Sequence, residues 1–199
     1  APRQHGALAA LWQDPAADPE RACAVLGGLG YANPREVHRR LSALRQSPRY
    51  RQMPAVSQAR LDRLVPLVVE AAAAHANRDA TLERMLRLLE SVSRREAYLA
   101  LMEQYPQALA RVAELMGASP WAAEYLTLHP ILLDELLDTR NLYAAPDWSA
   151  LSARLRAQLD EAATDTEKQM DVLRHFKHVQ TLHLLSQDLA GTLPVETLS

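Results

Sequence analysis

Three histidines close together, His175, His178 and His183, are the residues whose type and spacing come nearest to a metal site. At 100° per residue on a helix, His175 and His178 share a face. His183 lies about 140° from His178, so the three do not converge as zinc ligands must. No His-Glu-x-x-His pattern occurs, and His129, directly before Pro130, reads as a helix-end residue. The single Cys23 sits in a small apolar context, Ala22-Cys-Ala-Val-Leu26, which suits a packing thiol better than a nucleophile. Gly27-Gly28-Leu29-Gly30 neither follows a strand nor precedes a Lys-Ser/Thr pair, so it reads as a helix stop rather than a phosphate loop. No Gly-x-Ser-x-Gly elbow is present. Asp165-Thr166-Glu167 has alternate carboxylates, but at a helix start these complement the dipole. The sequence thus predicts no catalytic, metal-binding or cofactor-binding residue within these 199 positions.

Charge offers the other chemistry. Residues 35–63 hold eight arginines against Glu36 and Asp62, while the whole chain carries −2, and acidic residues gather between Asp134 and Asp171. Arg39, Arg40, Arg45, Arg49 and Arg51 form one candidate protein-contact surface, and Arg174, Lys177 and His178 a second. A net charge near zero argues against a chain coated for nucleic acid. One cysteine rules out an internal disulfide framework. The apolar runs are too short to span a bilayer, and a reduced, soluble, cytoplasmic protein without membrane contact is expected.

These groups must be carried by helices. Hydrophobic residues make up 48% of the chain and glycine only six positions, with Ala, Leu, Arg, Glu and Gln dominant. No alternating β-branched run is bounded by turn signals. The expected fold is all-α, a bundle of about eight to ten helices without a sheet. Residues 1–17 read as an N-terminal tail. Start signals fall at Asp18-Pro19, at Asn33-Pro34-Arg35-Glu36 and at Ser57. Ser93-Arg94-Arg95-Glu96 reads as a capping box that splits one stretch into two helices, and Ser119-Pro120 caps another. Trp148–Ala163 and about Asp165–Leu189 close the series, the latter broken by Gly191 and Pro194. Leu173 and Phe176 are expected on the buried face of that last helix. A loose boundary is placed near Gly117, giving segments 18–117 and 118–199.

Several stretches carry a resemblance. Tyr98-Leu-Ala-Leu-Met-Glu-Gln-Tyr-Pro-Gln-Ala-Leu109 precedes Ala118-Ser-Pro-Trp-Ala-Ala-Glu-Tyr-Leu-Thr-Leu-His-Pro-Ile-Leu-Leu-Asp-Glu-Leu-Leu137. Gln169-Met-Asp-Val-Leu-Arg-His-Phe-Lys-His-Val-Gln180 and Gln187-Asp-Leu-Ala-Gly-Thr-Leu-Pro194 follow in order. Leu29-Gly-Tyr-Ala-Asn-Pro34 and Leu41-Ser-Ala-Leu-Arg-Gln-Ser-Pro-Arg-Tyr-Arg51 fit the same pattern. Over residues 20–199 the chain resembles the middle of the bacterial bifunctional glutamine synthetase adenylyltransferase/adenylyl-removing enzymes.

The resemblance implies a long parent chain with two nucleotidyltransferase halves. One attaches AMP from ATP to a tyrosine of glutamine synthetase, and the other removes it by phosphorolysis. Glutamine and the PII signalling protein set the balance. Segment 18–117 would be a helical linker or regulatory region, and 118–199 the helices leading into the adenylylating domain. Glutamine synthetase, PII and the flanking nucleotidyltransferase domains are the implied partners, and Mg²⁺ and ATP the parent's cofactors. The Gly-rich strand and Asp-x-Asp pair that hold Mg²⁺-ATP have no matching positions here, so no catalytic residue carries over. The alternative expectation is a stand-alone helical module that recognises an acidic protein or nucleic acid through its arginine patch.

Overall fold

The structure is a computed structural model that describes residues 2–137 and 142–192. Among the described residues there is no strand, and the chain forms eleven α-helices and one 3₁₀ segment. The helices are α1 (Pro2–Gln13), α2 (Pro19–Gly28), α3 (Pro34–Gln46), α4 (Pro48–Arg51), α5 (Ala55–Ala73) and α6 (Arg78–Val92). They continue with α7 (Glu96–Gln104), α8 (Pro106–Ala118), α9 (Pro120–Leu128), the 3₁₀ segment (Pro130–Leu137), α10 (Trp148–Glu161) and α11 (Thr166–Leu189). The all-α expectation holds, but eight to ten helices is an undercount. The two extra helices are α1, in what the sequence suggests is a tail, and the single turn of α4. Helix α1 is held by burial of Leu8, Leu11 and Trp12, which stand at three- and four-residue spacing inside a Pro- and Ala-rich stretch that otherwise reads as a tail.

The chain divides into two compact units, Ala1–Leu133 and Asp134–Ser199. In the first, α5 is the central rod, packed against α1, α6, α7 and α8. Its stripe of Leu61, Leu64, Val65, Val68, Val69 and Ala72 is buried at three- and four-residue spacing, as the sequence predicts. The helix starts at Ala55, so Ser57 is a buried interior residue rather than a cap. Pro66 also lies inside it, and its ring nitrogen can donate no hydrogen bond to the Asp62 carbonyl. Buried Tyr31 ties the α2–α3 connection to this rod through its hydroxyl, which donates to Val69 O at 2.7 Å.

Helix ends follow two rules. Asp18, Ser119, Asp147 and Asp165 act as local N-caps, each accepting a backbone N–H three residues on. The two expected capping boxes work differently. Asn33 makes no side-chain cap; instead Asp79 of α6 accepts from the Ala32 and Asn33 N–H groups at 2.9 and 3.0 Å. The break between α6 and α7 lies where expected, but Ser93 Oγ donates back to the Glu90 carbonyl and Arg95 is the uncapped start of α7. Gly30, at φ +83°, ends α2 in the left-handed region, and Arg78 fills the space where a Cβ would stand, donating to Leu29 O. At Gly117, in the last turn of α8, a Cβ would come within 3.1 Å of Thr81 Oγ1 and 3.3 Å of His75, so glycine permits the close approach to α6.

In the second unit α10 and α11 pack together as a helical hairpin. Helix α10 has no fully buried side chain. Helix α11 buries Val179, Gln180, Leu182, Ser186 and Gln187, all in its C-terminal half. Leu173, expected in the core, is instead 46% exposed, and Phe176 is half-buried. Gly191, at φ +66°, ends α11 as expected, while Pro194 lies outside the described residues. No helix among the described residues is long and apolar enough to cross a membrane.

Candidate functional site

Four of the five arginines in the expected contact surface are engaged within the chain. Arg39 and Arg40 both reach Glu36 at 2.6–2.7 Å, and Arg40 also reaches Glu83 of α6 at 2.9 Å. The hydrogen bonds from Arg39, then Arg40, hold the Glu36 carboxyl down at about 2. Arg49 donates to the Glu90 carbonyl near the C-terminus of α6. Arg51 is exposed.

Arg45 turns inward. Its guanidinium donates to Asp62 Oδ1 at 2.7 Å and lies over the Tyr50 ring, 4.5 Å from the centroid, with Trp12 at 5.4 Å. Trp12 Nε1 and the Tyr50 hydroxyl both donate to the same oxygen at 2.8 Å, and the two rings meet edge-on at 5.9 Å. One carboxylate therefore joins α1, α3, α4 and α5. Sequence reading misses this cluster because Asp62 lies between Leu61 and Arg63 like a surface residue, and its partners are 12 to 50 positions away.

Part of the remaining positive excess, Arg60 and Arg63, is balanced in a similar way. Arg60 bonds Glu96 at 3.1 Å and Glu103 at 3.0 Å, and Arg63 also bonds Glu103, linking α5 to α7. Arg63 chiefly, with Arg60, holds the Glu103 carboxyl below the usual carboxylate range. A depressed carboxylate stabilises the fold above its unfolded value of about 4.3, and that contribution disappears as pH falls through the folded value. Glu103→Gln is therefore expected to be less stable than the parent at pH 7, with the difference shrinking below about pH 4. Urea unfolding of both proteins at pH 7 and pH 3 checks this; an equal difference at both would show that the carboxylate charge is not responsible.

In the second unit Arg174 pairs with Asp171 at 3.0 Å, one turn away, and Lys177 is exposed. His178 is half-buried and interacts within the chain, so it is not an open contact residue. The unit also holds a half-open cavity of about 690 Å³ whose lining includes Phe176, Gln180, His183 and Gln187 of α11 and Asp134, Glu135, Asp147 and Arg154 opposite. His183 Nε2 lies 3.1 Å from Glu135 Oε2 and holds that carboxyl below its ordinary range. Gln187 Nε2 donates to the Leu142 and Ala144 carbonyls at 3.2 and 2.8 Å. His175 lines the cavity with His183, whereas His178 does not. The sequence signal for this feature is the polar spacing 180, 183, 187 on one helix face; the carbonyls it binds leave none.

The implied Mg²⁺ and ATP can be tested against these donors. Among the described residues no three His, Cys, Asp or Glu side chains converge as metal ligands. Of the cavity carboxylates, Glu135 is engaged by His183, and Asp147 caps α10. Asp165 likewise caps α11. Asp134, the third cavity carboxylate, is exposed, and without a converging set of ligands the described residues do not fit a magnesium–triphosphate group.

Residues 109–199 match the family model of glutamate-ammonia ligase adenylyltransferase. Over 96% of its length the chain is 52% identical to the bifunctional glutamine synthetase adenylyltransferase/adenylyl-removing enzyme of Chromobacterium violaceum and 55% identical to that of Aromatoleum aromaticum. Over 98% of its length it is 41% identical to that of Pseudomonas putida. The resemblance carried by the motifs therefore holds across nearly the whole chain. These matches span 21%, 20% and 20% of the respective relatives, so the chain covers about a fifth of their length.

Proposed function

We propose that this chain is a helical coupling segment of an enzyme that adenylylates and deadenylylates glutamine synthetase, positioned between two nucleotidyltransferase halves and acting in the cytoplasm. The observation that carries the reading is the pairing of 52–55% identity over 96% of this chain with coverage of only a fifth of each relative. Helices locked by buried leucines and inter-helix ion pairs suit a spacer that keeps two sites at a set separation and passes on a shift in packing. On this reading ATP and Mg²⁺ are bound by the flanking domains, which are this segment's immediate partners. Glutamine synthetase is the substrate of the whole enzyme, and PII its signalling partner. The stand-alone binding module is the weaker reading, because Arg39, Arg40, Arg45 and Arg49 already have partners within the chain.

The purified 199-residue chain is expected to release no pyrophosphate when incubated with ATP, Mg²⁺ and glutamine synthetase. Turnover that copurifies with the chain through successive columns would show that the chemistry lies inside it.

A further inference from the structure

Helix α10 is loosely held on α11, and both helices belong to the second unit. Leu151, Leu155 and Leu159 stand four residues apart and form its inward stripe, yet each is only half-buried, and every other residue of the helix is exposed. No ion pair joins α10 to α11 among the described residues. The space beside the stripe is not filled: Leu151, Arg154 and Gln158 line the cavity of about 690 Å³ together with Phe176, Val179 and Gln180 of α11.

Two local costs oppose this closed arrangement. Ala163, in the turn between the helices, has φ +48°, in the left-handed region where its Cβ crowds the following carbonyl. Gln180 is buried, and its Nε2 has no hydrogen-bond partner among the described residues, so its desolvation is uncompensated. The chain at either end of α10 is nevertheless anchored. Gln187, buried in α11, donates to the Leu142 and Ala144 carbonyls ahead of it, and Gln169 donates to the Ala163 carbonyl behind it.

We infer that α10 is a strap, tied at both ends, that comes away from α11 while the rest of the unit stays folded, and so uncovers Phe176, Val179 and Gln180. A 14-residue helix without a partner is marginal in water, so release and unwinding are one event. Closing gains only a half-covered leucine stripe, whereas opening relaxes Ala163 and lets water reach the Gln180 amide; few buried apolar contacts are the mark of a segment that opens locally. Taken with the coupling reading, on which this step alone rests, the strap is the two-state element by which the segment registers a shift in the domains beside it.

Thiol labelling of the 199-residue chain, with Cys23→Ser to remove the native thiol, tests it. Val179→Cys places a buried thiol on the cavity wall, and Ser186→Cys places one on α11 outside the cavity lining. Val179→Cys is expected to label about a hundredfold faster than Ser186→Cys, a ratio typical of local opening against unfolding of the whole unit. In the unsubstituted chain, the amides of α10 should exchange faster than those of residues 179–187 by a similar factor. Adding Ala163→Gly, which removes the strain from the closed state, is expected to slow both Val179→Cys labelling and α10 exchange about fivefold. Equal labelling of the two thiols, fast or slow, overturns the proposal, because α10 then opens only with the unit. Equal exchange in α10 and residues 179–187 does the same. Fast Val179→Cys labelling that Ala163→Gly leaves unchanged also overturns it, since the reagent then enters through the cavity mouth. Pyrophosphate release by the chain would strike the coupling reading, with a hundredfold ratio still supporting the strap; equal rates without release would strike the strap alone.

Discussion

Asp62→Ala is expected to destabilise the protein by about 3–5 kcal/mol, because it removes the acceptor shared by three buried or half-buried donors. The Trp12 indole N–H and the Tyr50 hydroxyl belong to side chains that are almost entirely enclosed, and the Arg45 side chain is more than three-quarters covered. Without Asp62 each keeps its desolvation cost and loses its bond. Asp62→Asn retains an oxygen that can accept but loses the charge opposite Arg45, so a smaller loss, about 1–2 kcal/mol, is expected. Urea unfolding of the two variants beside the parent reads both values. Arg45→Met combined with Asp62→Ala should cost less than the sum of the single changes, since the second removes a charge that the first has already stranded. A loss below about 1 kcal/mol for Asp62→Ala would mean that the donors find water instead.

That cluster marks the limit of what sequence reading supplies. Local signals place the helices: Asp18-Pro19, Ser119-Pro120, Asp165 and the stripe Leu61–Leu64–Val65–Val68 all act as their residue types dictate. They fail where a partner is distant in sequence. Asp79 looks like an N-terminal residue of its own helix, yet it also caps the turn before α3 from 46 positions away. The arginine-rich stretch reads as a charged surface because the count omits Glu83, Glu96 and Glu103, which lie beyond it and meet Arg40, Arg60 and Arg63 only after folding. The candidate contact surface was legible as composition, but its loss of available charge was not.

The last helix shows the same ambiguity in a form that mutagenesis can resolve. Leu173 and Leu182 are nine positions apart, which at 100° per residue places them on opposite sides of α11. Apolar residues on both sides let either face be chosen as core from sequence. The structure buries Leu182 to 1% exposure, whereas Leu173 stands in the N-terminal half, where α11 buries no side chain completely. Leu182→Ala is therefore expected to cost about 2–5 kcal/mol, through lost burial and the cavity left behind. Leu173→Ala should change stability by less than about 0.5 kcal/mol, since the leucine is largely hydrated in the 199-residue chain. Denaturant unfolding followed by circular dichroism gives both numbers on the same protein. A reversed ranking would mean that α11 is rotated by half a turn about its axis, and the face bearing Gln180, His183 and Gln187 would no longer line the cavity.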